Sequence, residues 1–293
     1  MSGVLWGLLS AITWATANFS IKPAAHRFGD ISALVCAQLA GGLLVIPAAA
    51  LIEGAPGQLP GHHLPLLPLG AMAALVAYVG LFRALRLGRL AVVAPIVSGW
   101  TVLSVLIGAL WLSEDLTPSQ WAGVALVILG NGLLANAQRE GDDGDLRAAV
   151  GWALLSALGF GVMIPVVDQL GADIGALWAV PTLWGLELAT GAALWLLLRA
   201  LGLDLAAAFG PQSIPRDARG ISLVGRVGVL EALGFVGLSV GISLAPIAIV
   251  APVASLSTGL SVLLGLVLRR ERLGAQALTG AILVSVGVVL TAI

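Results

Sequence analysis

Charged side chains are scarce: they make up 10% of this chain, less than half of the roughly 25% that a water-soluble surface demands. A surface that is not solvated by charge has another solvent, and a mean hydropathy of +1.05 identifies it as lipid. A surplus of positive charge is missing too. Lys and Arg number 14 against 15 Asp and Glu, so the net charge of -1 leaves no electrostatic footprint for nucleic acid. One cysteine, Cys36, cannot close an intrachain disulfide and has no Cys or His neighbour at metal-ligand spacing. Neither a metal nor a cofactor is expected, and the fold must stand on packing alone.

Long apolar segments fill the chain instead. A helix needs about 20 apolar residues to cross the hydrocarbon core. Ten such segments follow one another, at 3–21, 31–52, 65–85, 90–112, 118–136, 148–167, 174–198, 221–242, 246–268 and 274–292. The expected fold class is an all-α integral membrane protein of ten transmembrane helices. Two loops have any length: 137–147, the densest run of charge, and 200–219, where Gly202, Gly210, Pro211 and Pro215 discourage a continuous helix. Lys and Arg are retained on the cytoplasmic side of short loops. With ten spans, all 14 fall on one side: after the first (Lys22, Arg27), third (Arg83, Arg86, Arg89), fifth (Arg139, Arg147), seventh (Arg199, Arg216, Arg219, Arg226) and ninth (Arg269, Arg270, Arg272). This segregation supports the count and places both termini outside the cytoplasm of a cell (inner or plasma) membrane. The start, Met-Ser-Gly-Val-Leu-Trp, lacks the basic region of a cleaved signal, so span one is read as retained.

Self-similarity gives the architecture. Ala91-Val-Val-Ala-Pro95 returns as Ala248-Ile-Val-Ala-Pro252, and the same offset of 157 pairs Ser98 with Ser255, Ser104 with Ser261, Glu114 with Glu271, Gly123 with Gly280 and Gly130 with Gly287. Near the front of each half, Trp6-Gly-Leu-Leu-Ser-Ala matches Trp152-Ala-Leu-Leu-Ser-Ala, and Gln38-Leu-Ala matches Glu187-Leu-Ala. Residues 1–136 and 148–293 are thus two five-helix repeats joined by the charged loop 137–147. Five is odd, so the second copy enters the membrane in the opposite sense. Inverted repeats of this kind are common in secondary transporters, with a site at the midplane between the halves.

The duplicated ten-span chain, the aromatic in each first span, the Ala-Pro elements at Pro95 and Pro252, and the acids Glu114 and Glu271 followed by Gly-bearing spans resemble the drug/metabolite transporter superfamily, in particular its EamA-type members. The resemblance implies a single-chain secondary transporter of small metabolites, often amino acids or their derivatives, with a central cavity lined by the middle spans of each half. Many members carry a second proline about six residues after the first; Thr101 and Thr258 stand there instead, so spans four and nine are expected to be straighter.

Ionisable residues inside a span are functional candidates, since a charge at the bilayer centre costs about 2.5–3.5 kcal/mol on insertion scales. Glu187 falls near the middle of span seven and Glu231 in span eight, where the repeat partner is Ala74. Both are candidates for proton coupling, because a carboxyl in a low-dielectric cavity can bind and release a proton near neutral pH. A structural acid hydrogen-bonded to a neighbouring helix is the competing reading. In span one, Ser10, Trp14, Asn18 and Lys22 share a face; Trp14 and Asn18 suit substrate contact, while Lys22 suits the positive-inside preference or snorkelling. Gln38, Tyr78, Ser98, Thr101, Phe235, Ser255 and Thr258 complete the substrate-binding candidates, with Pro95 and Pro252 as helix breaks that free a carbonyl one turn earlier. His62 and His63 read as exposed, since adjacent histidines do not point together. Glu114 and Glu271 read as structural acids at the start of each half's last helix.

These features point to a secondary active transporter of a neutral, zwitterionic or cationic small metabolite, working by alternating access and coupled to protons through Glu231. An uncoupled facilitator or exchanger stays open at this stage. A non-transporting scaffold would not need buried acids, and an enzyme would want a catalytic constellation at membrane depth that the chain lacks. The partners expected are a small-molecule substrate, the bilayer and protons.

Overall fold

The structure, a computed structural model, describes residues 2–103, 106–107, 117–137, 144–202, 209–244, 247–271 and 273–291. These residues form an all-helical membrane protein with ten α-helices among them: α1 Ser2–Phe28, α2 Asp30–Ile52, α3 Leu66–Leu87, α4 Leu90–Val97, α5 Pro118–Ala137, α6 Gly144–Ile174, α7 Ala176–Ala200, α8 Ala218–Leu244, α9 Ile247–Val267 and α10 Ala275–Thr291. Six helical segments are long and apolar enough to cross a bilayer by length and composition: Gly3–Phe28, Asp30–Ile52, Gly61–Leu87, Asp145–Ile174, Ala176–Ala200 and Ala218–Gly241. Leu90–Leu103, Leu256–Val267 and Ala275–Leu290 are shorter apolar helices. In hydrocarbon every backbone group must bond internally, so the apolar sequence has little choice but helix. Leu43, Leu51 and Val267, at 80%, 86% and 68% exposure, turn outward, where lipid is their solvent.

Two tight links in the backbone are alike. Gly29 alone separates α1 from α2 and has φ +88°; Gly175 alone separates α6 from α7 and has φ +105°. The two are equivalent in the register that pairs Trp6 with Trp152. A side chain would oppose that backbone conformation, and glycine does not.

Packing follows the same exchange. α1 lies along α8 and α3 along α6; α2 packs on α8 and α3 on α7; α5 and α10, α4 and α9, and α2 and α7 pair with one another. Gly80 on α3 lies against the backbone of Trp152 and Ser156 on α6, and its repeat mate Gly237 on α8 lies against Trp6 and Ser10 on α1. Gly130 meets Gly280 and Gly287 meets Gly123, so α5 and α10 cross backbone to backbone. Small residues allow this approach, which carries association where lipid and side chain are equally apolar.

Three expectations are corrected. α1 runs to Phe28, seven residues past its expected end, because Pro23 is accommodated inside it. α4 is not straight: it ends at Val97, Ser98 and Gly99 form a turn, and helix resumes at 100–103. The ladder tightens there to three-residue bonds, Gly99 N–H to Ile96 O at 3.0 Å and Thr101 N–H to Ser98 O at 3.2 Å. The interruption therefore falls after Pro95, at a glycine. α9 runs on through Pro252 and through Leu256, the mate of Gly99, so the two halves differ here.

Candidate functional site

The centre of the bundle holds a polar pair and an aromatic cluster. Gln38 on α2 donates from Nε2 to Oε2 of Glu187 on α7 at 2.7 Å, and both side chains are buried. The second oxygens, Gln38 Oε1 and Glu187 Oε1, have no hydrogen-bond partner among the described residues. One turn before Glu187 on the same face, Trp184 donates from Nε1 to the hydroxyl of Tyr78, the chain's one tyrosine, at 3.0 Å.

Around that bond the rings meet edge to face. Trp14 of α1 meets Phe235 of α8 at 5.2 Å and 78°, and Phe160 of α6 meets Tyr78 of α3 at 5.1 Å and 76°. Trp14 is equivalent to Phe160 and Tyr78 to Phe235, so these are one contact made twice. Trp184 bridges them, 6.3 Å from Tyr78 and 6.0 Å from Phe235. Edge-to-face rings hold one another in fixed orientation and present negative faces to a cationic group.

Glu231 is buried one turn before Phe235 on α8, and no hydrogen bond to it is made among the described residues. It and Glu187 both act electrostatically on Tyr78. The two acids differ in kind: Glu187 is held by an amide from the facing helix, Glu231 is not held.

Of the other expected site residues, Asn18 is half-buried four residues beyond Trp14. Ser98 Oγ shares a 2.5 Å hydrogen bond with Thr258 Oγ1, joining α4 to α9 beside the turn, and Thr101 Oγ1 bonds back to Ser98 O at 3.0 Å. The side chains of Pro252 and Ser255 lie outside the described residues, as do Ser104 and Glu114. Lys22 Nζ donates to the carbonyl of Gly88, the C-cap of α3, at 2.6 Å. His62 and His63 do meet, with ring centroids 4.1 Å apart, because a 3-10 turn at Gly61–His63 brings neighbours together, and His63 pairs with Asp173 at the end of α6. Glu271 does not serve its own helix α10 but accepts from Leu90 N–H at 3.0 Å and Ala91 N–H at 2.9 Å, on α4 of the other half. Sequence reading missed Phe160 and Trp184. The register shared with Trp14 would have found the first, and the one-turn spacing from Glu187 the second.

Comparison with known proteins identifies what this bundle belongs to. The profile of the EamA-like transporter family matches residues 1–135. A protein of Sinorhizobium sp., "uncharacterized transporter in cobO 3'region", is 35% identical over 134 residues, 94% of its length and 44% of this chain. The chain belongs to the EamA-like transporter family. A solved crystal structure, described only as that of a protein, aligns with this transporter at a TM-score of 0.66 and 18% identity, over 99% of this chain and 96% of the other. That likeness extends the shared fold across both halves of the transporter. The Sinorhizobium relative, by contrast, corresponds over nearly its whole length to less than half of it.

Proposed function

We propose that this membrane transporter is a ten-span, inverted-repeat secondary carrier of a small neutral, zwitterionic or cationic metabolite, an amino acid or related compound. It works by alternating access in the cell membrane and is coupled to protons through Glu231. The exchange symmetry of the helix pairs and the two glycine links support two repeats of opposite sense, 1–136 and 148–293, about the charged segment 137–147. A relative one repeat long supports the half as a unit. The Lys/Arg bias supports both termini facing away from the cytoplasm.

The observation that carries the reading is Glu231 itself: a buried carboxyl in a membrane helix, beside an aromatic cluster, without a hydrogen bond among the described residues. An acid with no structural partner is expensive in lipid, and a proton taken up and released on each cycle is what makes it worth keeping. Glu187, bonded to Gln38, positions the site. Rings from five helices, hydroxyls of Ser98, Thr101 and Thr258, and the amide of Asn18 suit an uncharged or cationic cargo, and the absence of a basic group from this set disfavours a multiply anionic one.

The test is lumenal pH, read by a trapped dye in proteoliposomes while amino acids, polyamines, sugars and nucleosides are added in turn. A pH change that follows one compound and is lost in Glu231→Gln is expected. Concentrative transport intact in Glu231→Gln would remove the coupling role.

A further inference from the structure

We propose that Glu271 is the latch of the gate on the Lys/Arg-rich face, and that release of its carboxylate from the first turn of α4 opens the transporter on that side. The proposal rests on the alternating-access reading above. Sequence spacing assigned Glu271 to the start of its own last helix; its hydrogen bonds go elsewhere.

The first N–H groups of a helix lack partners within it and favour an anion. Helix α4 has no side-chain cap from its own N-cap, Arg89. The cap comes from the opposite repeat, as Glu271 Oε1 accepts from Leu90 N–H and Oε2 from Ala91 N–H. A cap supplied by a neighbouring residue would only stabilise the helix. One supplied by the other half holds the halves together, and is lost when they part.

The local backbone is shaped to deliver it. α9 ends at Val267, and the chain doubles back with Arg269 N–H on Leu264 O at 3.3 Å and Glu271 N–H on Gly265 O at 3.0 Å. Between them Arg270 has φ +52°, a left-handed conformation that side chains oppose. Strain of this kind persists where the surroundings hold it, and it clusters at sites that switch. Gly265, directly under Glu271 Oε2 and 3.0 Å from Ala91 N at its ideal Cβ position, leaves the room the carboxylate needs.

Two further ties close the same end. Arg269 stacks 4.5 Å over the ring of Phe19 and donates to its carbonyl at 2.6 Å, joining the α9 terminus to α1. Lys22 of α1 holds Gly88, two residues before α4, and both cations act electrostatically on Glu271. Apart from the stacking on Phe19, these are polar bonds to backbone groups that water can replace. The α5 and α10 contact through Gly130 and Gly280 is backbone packing that water cannot replace, so the α4 end separates at lower cost.

The test uses the full-length protein with Cys36→Ser and a reporter, Ala94→Cys, one turn inside the latch and buried. A membrane-impermeant maleimide is applied to right-side-out and to inside-out vesicles. Glu271→Ala is expected to raise labelling from the Lys/Arg-rich face about tenfold and to lower it from the other, with Glu271→Gln between, since losing hydrogen bonds to a charged group shifts a two-state balance by about that much. A second variant, Ala91→Cys with Gly265→Cys in the Glu271→Ala background, where the new Cβ no longer meets the carboxylate, replaces the latch by a disulfide, its Cβ atoms 3.1 Å apart and needing only a small shift. Once oxidised it is expected to block labelling from the Lys/Arg-rich face until reductant restores it. Equal rises on both faces, or no change in Glu271→Ala, would overturn the latch while leaving alternating access standing. Labelling from one face alone in every form, oxidised or reduced, would remove alternating access and the latch with it.

Discussion

Gln38 and Glu187 open the matching tripeptides Gln38-Leu-Ala and Glu187-Leu-Ala, and in the folded protein they hydrogen-bond to each other at 2.7 Å. The bond ties α2 to α7, and both side chains are buried. Replacing one partner strands the other in a low-dielectric interior, whereas replacing both does not. Gln38→Leu and Glu187→Leu are each expected to destabilise the protein by about 1–3 kcal/mol, with the double variant well short of their sum. Unfolding in bicelles, analysed as a double-mutant cycle, measures the coupling. An additive result would mean that the bond contributes nothing.

Trp184 stands between the two edge-to-face pairs, 6.3 Å from Tyr78 and 6.0 Å from Phe235. It breaks the symmetry of the aromatic cluster by hydrogen-bonding Tyr78 and not Phe235, which has no hydroxyl. Trp184→Phe and Tyr78→Phe should each cost about 0.5–1.5 kcal/mol, and together hardly more than either, because they remove the same bond. Trp184→Val also leaves a cavity and should cost about 3–5 kcal/mol, as large-to-small changes of aromatic residues do. Substrate-dependent pH changes in proteoliposomes should weaken in Trp184→Val more than in Tyr78→Phe. Equal losses would take Trp184 out of the site.

The helices were legible because apolar length is a short-range pattern. Apolar length marks the segments in which these helices lie, and the offset of 157 pairs Tyr78 with Phe235, both of which enter the aromatic cluster. The turn after α4 was not legible from Pro95, because the break comes four residues later at Gly99, where the absence of a Cβ leaves space beside Asn131. The partners of Glu271 and His63 were not legible at all. Each reaches a residue more than a hundred positions away in the other half, and no periodicity in one segment encodes which helix end lies opposite it.

Glu231 makes no hydrogen bond among the described residues, so its removal should relieve the fold while it disables the carrier. An acid near mid-bilayer costs up to about 2.5–3.5 kcal/mol if charged. Glu231→Gln is expected to raise the thermal midpoint or leave it unchanged while abolishing substrate-dependent proton movement. Such a trade between stability and activity is usual at functional sites. A lower midpoint would show that the carboxyl has a structural partner.

Gly80 and Gly237, 157 residues apart, offer a direct test of the proposed repeat. A Cβ on Gly80 would lie 2.8 Å from the Trp152 carbonyl oxygen, and one on Gly237 would lie 2.9 Å from that of Trp6. Both neighbours are backbone and cannot turn aside, so the paired helices would have to move apart. Gly80→Ala and Gly237→Ala should therefore each cost about 1–3 kcal/mol, the range for overpacking, and by similar amounts. Gly132 on α5 has nothing within 4 Å of its Cβ position, so Gly132→Ala should be neutral or stabilising through helix propensity alone. Thermal unfolding of the three variants in one detergent makes the comparison. A large cost at Gly80 with none at Gly237 would mean that the two helix pairs are packed differently, and that the repeat governs the chain's path without governing its contacts.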